Sequence, residues 1–430
     1  MLHEVVKAAE AVLRANDRDG YTVPAQGLYP FQWLWDSGFA ALGWAVLDED
    51  RAWLELERLF LGQWESGFLP HIVFHQEDPG YFPGPEVWGV RRDPPTSGIT
   101  QPPFLAPVML HLVRMSSGRG SERARWFYPR LLALHRFLHR YRDPGGSGLV
   151  AVLHPWETGM DNSPAWDLPL KRVPRRPFAL ETRRDIQHVP QEERPRQEDY
   201  ERYLYLVSLF RELGYNPDAC FWESSFRVVD VGFNALLLFA DEALAELAWL
   251  LGEDPTEPKG WFQKGVLALE TLWDEEAGLY RSLDLRTGER IPVDTSAGFL
   301  PLLLPLSSSR VERLVVTFRA WAGEARYLFP SAHPLASYFE PRRYWRGPVW
   351  APVNMLLAWG LIRHGFLGEA ARLREDLIAL VEGSGFREYY HPLTGEGLGG
   401  RGFSWTAAIY LAWMEDQAAF FPLGLGGSNP

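Results

Sequence analysis

The sequence of 430 residues is poor in cysteine and in lysine. Cys220 is its only cysteine, which excludes an intramolecular disulfide and a zinc site made of cysteines. Lysine occurs only at Lys7, Lys171, Lys259 and Lys264, so arginine carries nearly all of the positive charge. This bias towards arginine says little about function by itself.

Long apolar runs are also missing. No stretch approaches the roughly 18 apolar residues that a membrane span needs, and residues 1–7 lack the apolar region of a signal peptide. The net charge of -12 argues against nucleic acid or an anionic membrane surface as a partner. We therefore expect a cytoplasmic protein that acts on a small molecule, and a homo-oligomer is compatible with this expectation.

Aromatic residues are abundant instead. They make up 14% of the chain, and 19 of them are tryptophans. Indole rings offer flat apolar faces that stack on sugar rings. The excess of tryptophan indicates either a carbohydrate site lined by aromatic rings or a large aromatic core.

Helical periodicity dominates the chain. Apolar residues recur at helical spacing in twelve segments, which are 2–15, 37–47, 49–63, 103–116, 121–142, 199–213, 232–252, 256–275, 309–322, 349–364, 367–383 and 404–419. Short β pieces are expected near 149–153 and 277–292. Paired helices joined by long connections predict an all-α fold, an (α/α)6 barrel in a single domain over residues 1–430. A helical solenoid is the main alternative, but no repeat period is present.

The longest connection covers about residues 143–198. It is rich in proline and charge, and connections of this length usually have a function or are disordered. Long loops on one rim of the barrel would build the site. We expect this insertion to act as a lid over that rim.

The stretch at 154–167 combines three carboxylates, Glu157, Asp161 and Asp167, with Trp156 and Trp166. A site that protonates a glycosidic oxygen while holding a sugar needs an acid beside apolar rings. Burial among such rings raises the pKa of a carboxyl group. The alternative is a helix cap, in which Asp161 or Ser163 accepts backbone amide hydrogens.

Other clusters also combine aromatic and polar side chains before predicted helices. Their candidate residues are Tyr29, Trp33 and Asp36; His71, Tyr81 and Gln101; and Tyr344, Trp345 and Trp350. Asp36 and Gln101 could equally be helix caps, and a lone histidine is more often structural. Glu388, flanked by Arg387 and two tyrosines, has the charged surroundings that favour an ionised carboxylate.

Four ordered motifs carry a family resemblance. Residues 33–36, 159–166, 343–350 and 387–395 resemble glycoside hydrolase family 63 and its trehalase-like relatives, and the likeness covers roughly residues 20–415. Within that family the chain is most similar to short bacterial members that hydrolyse mannosylglycerate and glucosylglycerate. The resemblance implies an inverting hydrolase that needs no metal and no cofactor.

The resemblance also implies roles for individual residues. The general acid falls on Asp161, with Asp167 as a second candidate, and the general base falls on Glu388. Glu157-Thr-Gly stands where the family usually has Glu-Ser-Gly, a conservative change. The residues that fit positions holding the sugar are Tyr29, Trp33, Asp36, Tyr81, Gln101, Tyr344, Trp345 and Trp350, and His71 is a further substrate-binding candidate.

The glycerate half of such a substrate is an anion that needs a cationic partner. The guanidinium group matches a carboxylate with two parallel hydrogen bonds. Arg194 and Tyr200, at the end of the 143–198 insertion, are the candidates for this contact. The alternative is that the arginines of this segment only solvate a charged loop.

Two other functions stay open at this point. The same barrel could hydrolyse an α-glucobiose such as trehalose or kojibiose, in which case neutral groups would replace the arginine. A sugar isomerase or epimerase would instead use paired histidines, for which His71, His75 and His154 are available.

Overall fold

The computed structural model describes residues 2–116 and 118–415 and is mostly helical. All twelve predicted helices are present, and we number them in chain order. They are α1 (Leu2–Asn16), α2 (Leu34–Leu47), α3 (Glu49–Phe60), α4 (Leu105–Met115), α5 (Arg119–Tyr141), α6 (Gln197–Glu212), α7 (Val231–Leu251), α8 (Thr256–Leu269), α9 (Ser308–Gly323), α10 (Ala351–Arg363), α11 (Leu367–Ser384) and α12 (Ser404–Glu415). The last predicted helix ran to residue 419, and its final four residues lie outside the described part. Four shorter helices are Pro85–Trp88, Asp167–Leu170, Asp185–His188 and Pro217–Glu223.

Six elements form a closed inner ring. Helix α2 contacts α4, α4 contacts α7, and α7 contacts a 3-10 helix at Ser296–Leu303. That 3-10 helix contacts α10, α10 contacts α12, and α12 returns to α2. The second ring packs outside it: α3 on α2, α5 on α4, α8 on α7, α9 on the 3-10 helix, α11 on α10 and α1 on α12. The (α/α)6 barrel predicted from the sequence is confirmed.

One inner element is absent from the twelve segments predicted from the sequence. The predicted helix at 199–213 exists as α6, but it packs against the short helix Pro85–Trp88. The sixth inner position belongs to Ser296–Leu303, which is buried along its whole length. A continuous apolar run has no helical period, and Pro301 interrupts α-helical hydrogen bonding.

Small residues bring the inner helices close together. A Cβ atom on Gly43 of α2 would lie 2.5 Å from the Cα atom of Ala408 in α12. Helix α10 is buried from Ala351 to Leu361 without interruption, as expected for a helix surrounded by others. The core therefore lies along the barrel axis and between the two rings.

Strands are short and antiparallel. Gln32–Trp33 pairs with Ile72–Val73, and Trp273–Asp274 pairs with Leu279–Tyr280. Leu283–Asp284 lies between Val228–Val229 and Glu289–Arg290. The expected β structure near 277–292 is confirmed, whereas 149–153 contributes a single bridge from Val152 to Val228.

The fourth sheet is a hairpin formed by Arg387–Tyr390, its first strand, and Gly397–Arg401, its second strand. It precedes α12 and carries Glu388. Among the described residues, no helix is long and apolar enough to cross a membrane.

The 143–198 insertion is built from short helical turns. Arg184 within it forms an ion pair with Asp78, and its last residues contact the hairpin, as described below. Its movement as a lid stays a prediction.

Candidate active site

A pocket opens where loops lead into the inner helices α2, α4 and α12. Twelve of the thirteen predicted site residues lie in its wall: Tyr29, Trp33, Asp36, His71, Tyr81, Gln101, Asp161, Arg194, Tyr200, Tyr344, Trp345 and Glu388. The structure therefore brings together side chains from distant stretches of the chain, from Tyr29 to Glu388.

The backbone around Asp161 is held on both sides. The indole Nε1 of Trp166 donates to the carbonyl of Met160 at 2.9 Å, and the Tyr203 hydroxyl donates to the carbonyl of Asp161 at 2.8 Å. Gly159 adopts a φ of +71°, and a Cβ atom there would lie 2.8 Å from the Trp35 ring. Only glycine combines this conformation with so close a contact.

The carboxyl group of Asp161 is buried in the pocket wall. Burial raises its pKa from 3.8 to about 7, Arg194 opposes the rise, and the negative charge of Glu388 adds to it. A carboxyl group with this pKa retains a proton near neutral pH, which is the requirement for a general acid.

The other two carboxylates of the 154–167 stretch have different surroundings. Asp167 makes two hydrogen bonds of 2.8 Å to Arg346 and is 45% exposed, outside the pocket. Glu157 is fully buried and paired with Arg142 at 2.6 and 2.7 Å. Burial would raise the pKa of Glu157, but Arg142 and two backbone amides outweigh it and hold that pKa below its usual value.

Glu388 lies on the first hairpin strand and is 1% exposed. Its carboxylate accepts hydrogen bonds from the Gly400 amide and from the Tyr29 hydroxyl, each at 2.9 Å. The guanidinium Nη1 of Arg194 donates to both of its oxygens at 3.2 Å. Three donors therefore fix this carboxylate in one position in the pocket.

The glycine-rich second strand leaves room for that carboxylate. Gly399 has a φ of +65°, and a Cβ atom on it would lie 2.6 Å from Oε2 of Glu388. The glycines after Glu388 thus allow the hairpin backbone to approach the carboxylate closely.

Arg194 is 3% exposed, so the alternative that it only solvates the loop is wrong. Besides Glu388, it contacts Asp185 at 3.3 Å and donates to the Tyr29 hydroxyl at 2.6 Å. Its guanidinium also lies 4.2 Å from the centre of the Tyr344 ring, within the range of a cation–π interaction.

Trp345 lies in the pocket wall and is supported from behind. Its ring stacks on Trp350 at 3.8 Å with an angle of 2°, and Trp350 stacks on Tyr389 at 4.5 Å. Trp350 itself is not in the pocket wall. The prediction that Trp350 lines the sugar site is therefore corrected. Trp350 is buried behind the Trp345 ring, and that ring separates it from the pocket.

Comparison with known proteins agrees with this geometry. The family profile described as "Mannosylglycerate hydrolase MGH1-like glycoside hydrolase domain" matches residues 29–406. The chain belongs to this family of glycoside hydrolases.

Individual relatives cover nearly the whole chain. A mannosylglycerate hydrolase of Thermus thermophilus is 55% identical over 95% of this chain and 100% of its own. A glucosylglycerate hydrolase of Mycolicibacterium hassiacum is 34% identical over 96% of this chain and 98% of its own. The crystal structure of a Thermus thermophilus GH63 mannosylglycerate hydrolase with Tris and D-glycerate superimposes with a TM-score of 0.93, at 54% identity over 96% of this chain and 100% of that one.

Two polar residues of this glycoside hydrolase lie at the start of α2. Asp36 is in its first turn, where burial first and the charge of Glu388 second raise the pKa of its carboxyl group well above 3.8. The Oε1 atom of Gln101 accepts from the backbone amide of Trp35 at 3.3 Å. Gln101 therefore does not cap α4, the helix that follows it in the chain, as one interpretation of the sequence expected. It satisfies an amide in the first turn of α2 instead, while it also lines the pocket.

The histidines do not form a catalytic pair in the pocket wall. His71 lies there, with Nδ1 2.6 Å from the Ser97 hydroxyl, but His75 and His154 do not. His154 contacts the Tyr203 carbonyl through Nε2 and accepts from the Trp156 amide through Nδ1, a neutral arrangement. Burial lowers the pKa of His75 and of His154 to about 4.

Several wall residues were not predicted as site residues. They are Pro24, Trp35, Ile72, Pro83, Trp88, Trp156, Gly159, Pro195, Phe403 and Trp405. Trp156 lies inside the 154–167 stretch noted in the sequence, and Trp35 lies between Trp33 and Asp36. Their types could have identified them, but only the fold shows which ring faces reach the pocket. Among residues 2–116 and 118–415, no three His, Cys, Asp or Glu side chains are grouped as metal ligands.

Proposed function

We propose that this chain hydrolyses the α-glycosidic bond of 2-O-α-D-mannosylglycerate, of its glucosyl analogue, or of both, and releases the hexose with inversion and D-glycerate. The observation that carries the proposal is the contrast between two carboxyl groups in one pocket. Asp161 has a pKa raised to about 7 by burial, whereas Glu388 is held by Arg194, Tyr29 and a backbone amide.

Asp161 is the proposed general acid. Its protonated carboxyl group gives a proton to the glycosidic oxygen as the bond to the anomeric carbon breaks. Without this proton, glycerate would have to leave as an alkoxide, which is a poor leaving group. Protonation therefore lowers the barrier to bond cleavage. Asp167 is unsuited to the role because it lies outside the pocket and is paired with Arg346.

Glu388 is the proposed general base. It takes a proton from a water molecule on the opposite face of the sugar, and that water attacks the anomeric carbon and inverts it. Inverting enzymes of this kind hold the two carboxyl groups about 6.5–9.5 Å apart, so that the water fits between them. The three hydrogen bonds to Glu388 fix the direction from which the water is activated.

The sugar is proposed to lie against Trp345, with Asp36 and Gln101 at its hydroxyl groups. The double stack behind Trp345 keeps that ring flat against the ligand. Tyr29, Trp33, Tyr81 and Tyr344 complete the wall. His71 stays a substrate-binding candidate as a neutral hydrogen-bonding group, because burial holds its pKa well below 6.5.

Arg194 is proposed to bind the glycerate carboxylate together with Tyr200. It is the only cationic side chain among the described residues that line the pocket, which also contains Asp36, Asp161 and Glu388. An anionic substrate therefore has one attractive partner there. Its Nη2 donates to the Tyr29 hydroxyl at 2.6 Å and not to Glu388, and this nitrogen is proposed to bind the substrate.

The proposal is tested by NMR of the purified protein with mannosylglycerate, glucosylglycerate, trehalose and kojibiose in separate samples. We expect early release of the β-hexose from one or both glycerate substrates. Cleavage of the disaccharides alone would reject the role of Arg194, and early release of the α-anomer would reject inversion. Isomerisation of free mannose without any hydrolysis would favour the histidine-based alternative. The cytoplasmic location and the homo-oligomer stay predictions.

A further inference from the structure

Glu193 is a buried carboxylate that the proposed chemistry does not use. It lies in the 143–198 insertion directly before Arg194, with an exposed fraction of 4%. It does not line the sugar pocket. Burying a carboxylate is costly unless its hydrogen bonds are satisfied, so its partners indicate what it stabilises.

The partners of the Glu193 side chain lie on other parts of the barrel rim. Oε2 accepts from the backbone amide of Gly399 in the hairpin at 2.9 Å. Oε1 accepts from the guanidinium of Arg342 at 3.2 Å. One oxygen thus binds the hairpin and the other binds the loop before α10.

The backbone carbonyl of Glu193 is also used. It accepts from the Tyr389 hydroxyl at 2.7 Å and from the Tyr344 amide at 3.2 Å. Tyr344 has a φ of +43°, a left-handed conformation that costs free energy for a residue with a side chain. The bond from its amide to Glu193 helps to hold it there.

The contacts of Glu193 and Glu388 meet on one strand. The Gly399 amide donates to Glu193, and the next amide, of Gly400, donates to Glu388. Glu193 therefore fixes the peptide unit beside the one that holds the proposed base. Arg194, the next residue of the insertion, contacts Glu388 from the other side.

We propose that Glu193 is a positioning residue that orients Glu388 by joining the 143–198 insertion to the hairpin. The inference rests on the proposed function, because it assigns Glu193 to the base of that reaction. Glu193 and Arg194 together hold Glu388 only while the insertion is seated on the rim. Correct placement of the base is thus coupled to closure of the pocket.

The carboxylate is suited to this task because it accepts with both oxygens. Gln has the same shape but a single acceptor oxygen. In Glu193→Gln, either the Gly399 amide or Arg342 would face an NH2 group. Glu193→Asp keeps the charge and both acceptors but shortens the reach.

The decisive measurement is steady-state kinetics of Glu193→Gln beside Glu192→Gln. Glu192 is the exposed neighbour on the same turn and serves as the matched control. We expect kcat of Glu193→Gln to fall about tenfold or more, as for a lost charged hydrogen bond, while KM changes little. Glu193→Asp should recover part of kcat, and Glu192→Gln should behave as the unmodified protein.

A second substrate separates an effect on the base from an effect on the acid. An aryl α-mannoside with an acidic phenol as leaving group needs little protonation, so it should restore much of the rate of Asp161→Asn. It still needs an activated water, so the deficit of Glu193→Gln should persist. A deficit that disappears with the aryl substrate, or a change in KM alone, would overturn the inference.

A crystal structure of Glu193→Gln gives a readout that does not depend on activity. We expect Glu388 to lose or lengthen its bonds to Gly400 and Arg194. If Glu388 keeps both bonds unchanged, the positioning role is rejected, whichever glycoside the protein cleaves. If the unmodified protein cleaves none of the glycosides, the proposed function fails. The crystal structure of Glu193→Gln would still show whether the position of Glu388 depends on Glu193.

Discussion

Arg194 binds both oxygens of Glu388 through one guanidinium nitrogen, at 3.2 Å each. The two residues lie 194 positions apart in the chain and are both nearly inaccessible. The contact places the only cation of the described pocket wall beside the proposed base and leaves the proposed acid, Asp161, without an ion pair among the described residues. This asymmetry underlies the predictions that follow.

Asp161→Asn should reduce kcat on mannosylglycerate by roughly a thousandfold or more, because the leaving oxygen loses its proton donor. Sugar binding should persist, since Asn has nearly the same shape. Kinetics and calorimetric titration with the hexose check both statements.

Asp167→Asn is the matched control for this prediction. Its side chain lies outside the pocket, and Arg346 retains Glu340 at 2.9 Å. Activity within about threefold of the unmodified protein is expected, as for other partly exposed ion pairs. A larger loss in Asp167→Asn than in Asp161→Asn would reverse the assignment of the acid.

The stability of the protein should depend on the ionisation of Asp161. Its folded-state pKa of about 7 lies above its ordinary value of 3.8, so the folded state binds this proton more tightly than the unfolded state does. The resulting stabilisation is complete below about pH 4 and is lost as the pH rises to about 7. The loss is on the order of 4 kcal/mol.

Asp161→Asn isolates this effect because asparagine does not titrate. The variant should be more stable than the unmodified protein at pH 8 and about equal to it at pH 4. Denaturant unfolding at both pH values measures the difference. Equal differences at the two pH values would show that Asp161 ionises normally in the folded protein.

Arg194→Gln should lower kcat/KM for mannosylglycerate more than for the neutral analogue mannosylglycerol. Both rates fall, because the arginine also holds Glu388, but only the first substrate loses a partner for its carboxylate. The ratio of the two rates should change by about tenfold or more.

Arg196→Gln provides the control, because Arg196 is 45% exposed and paired with Glu340 at the surface. Little change in the ratio is expected for it. If Arg194→Gln lowers both rates by the same factor, then Arg194 serves the base alone and the glycerate carboxylate has another partner.

Trp350→Ala should lower the free energy of unfolding by about 3–5 kcal/mol, as for other buried large-to-small changes. It removes the ring between Trp345 and Tyr389, so KM should rise as well. Trp249→Ala is the control, since its ring is 72% exposed. A stable Trp350→Ala with an unchanged KM would show that Trp345 holds its orientation without the stack.

Much of this protein was determined by the sequence itself. Helical periodicity located all twelve of these helices, because the spacing of apolar residues along a helix is a local property of the sequence. The residue types of the motifs also indicated the pocket, since carboxylates beside indole rings suit a site that protonates an oxygen and holds a sugar. Twelve of the predicted residues lie in its wall.

Only the tertiary structure decided which of these elements and residues meet. The sixth inner position is occupied by Ser296–Leu303, and α6 lies outside the two rings. The sequence could not show this, because closure of the ring depends on contacts between distant segments. Asp161 and Asp167 differ little in sequence context, yet Arg346, far along the chain, pairs with the second and leaves the first in the pocket. The sequence likewise does not show that Trp345 lines the pocket and that Trp350 packs behind it. Burial and charge pairing are long-range quantities, so the different surroundings of Asp161 and Asp167, the partner of Arg194 and the contacts of Glu193 become visible only in the folded chain.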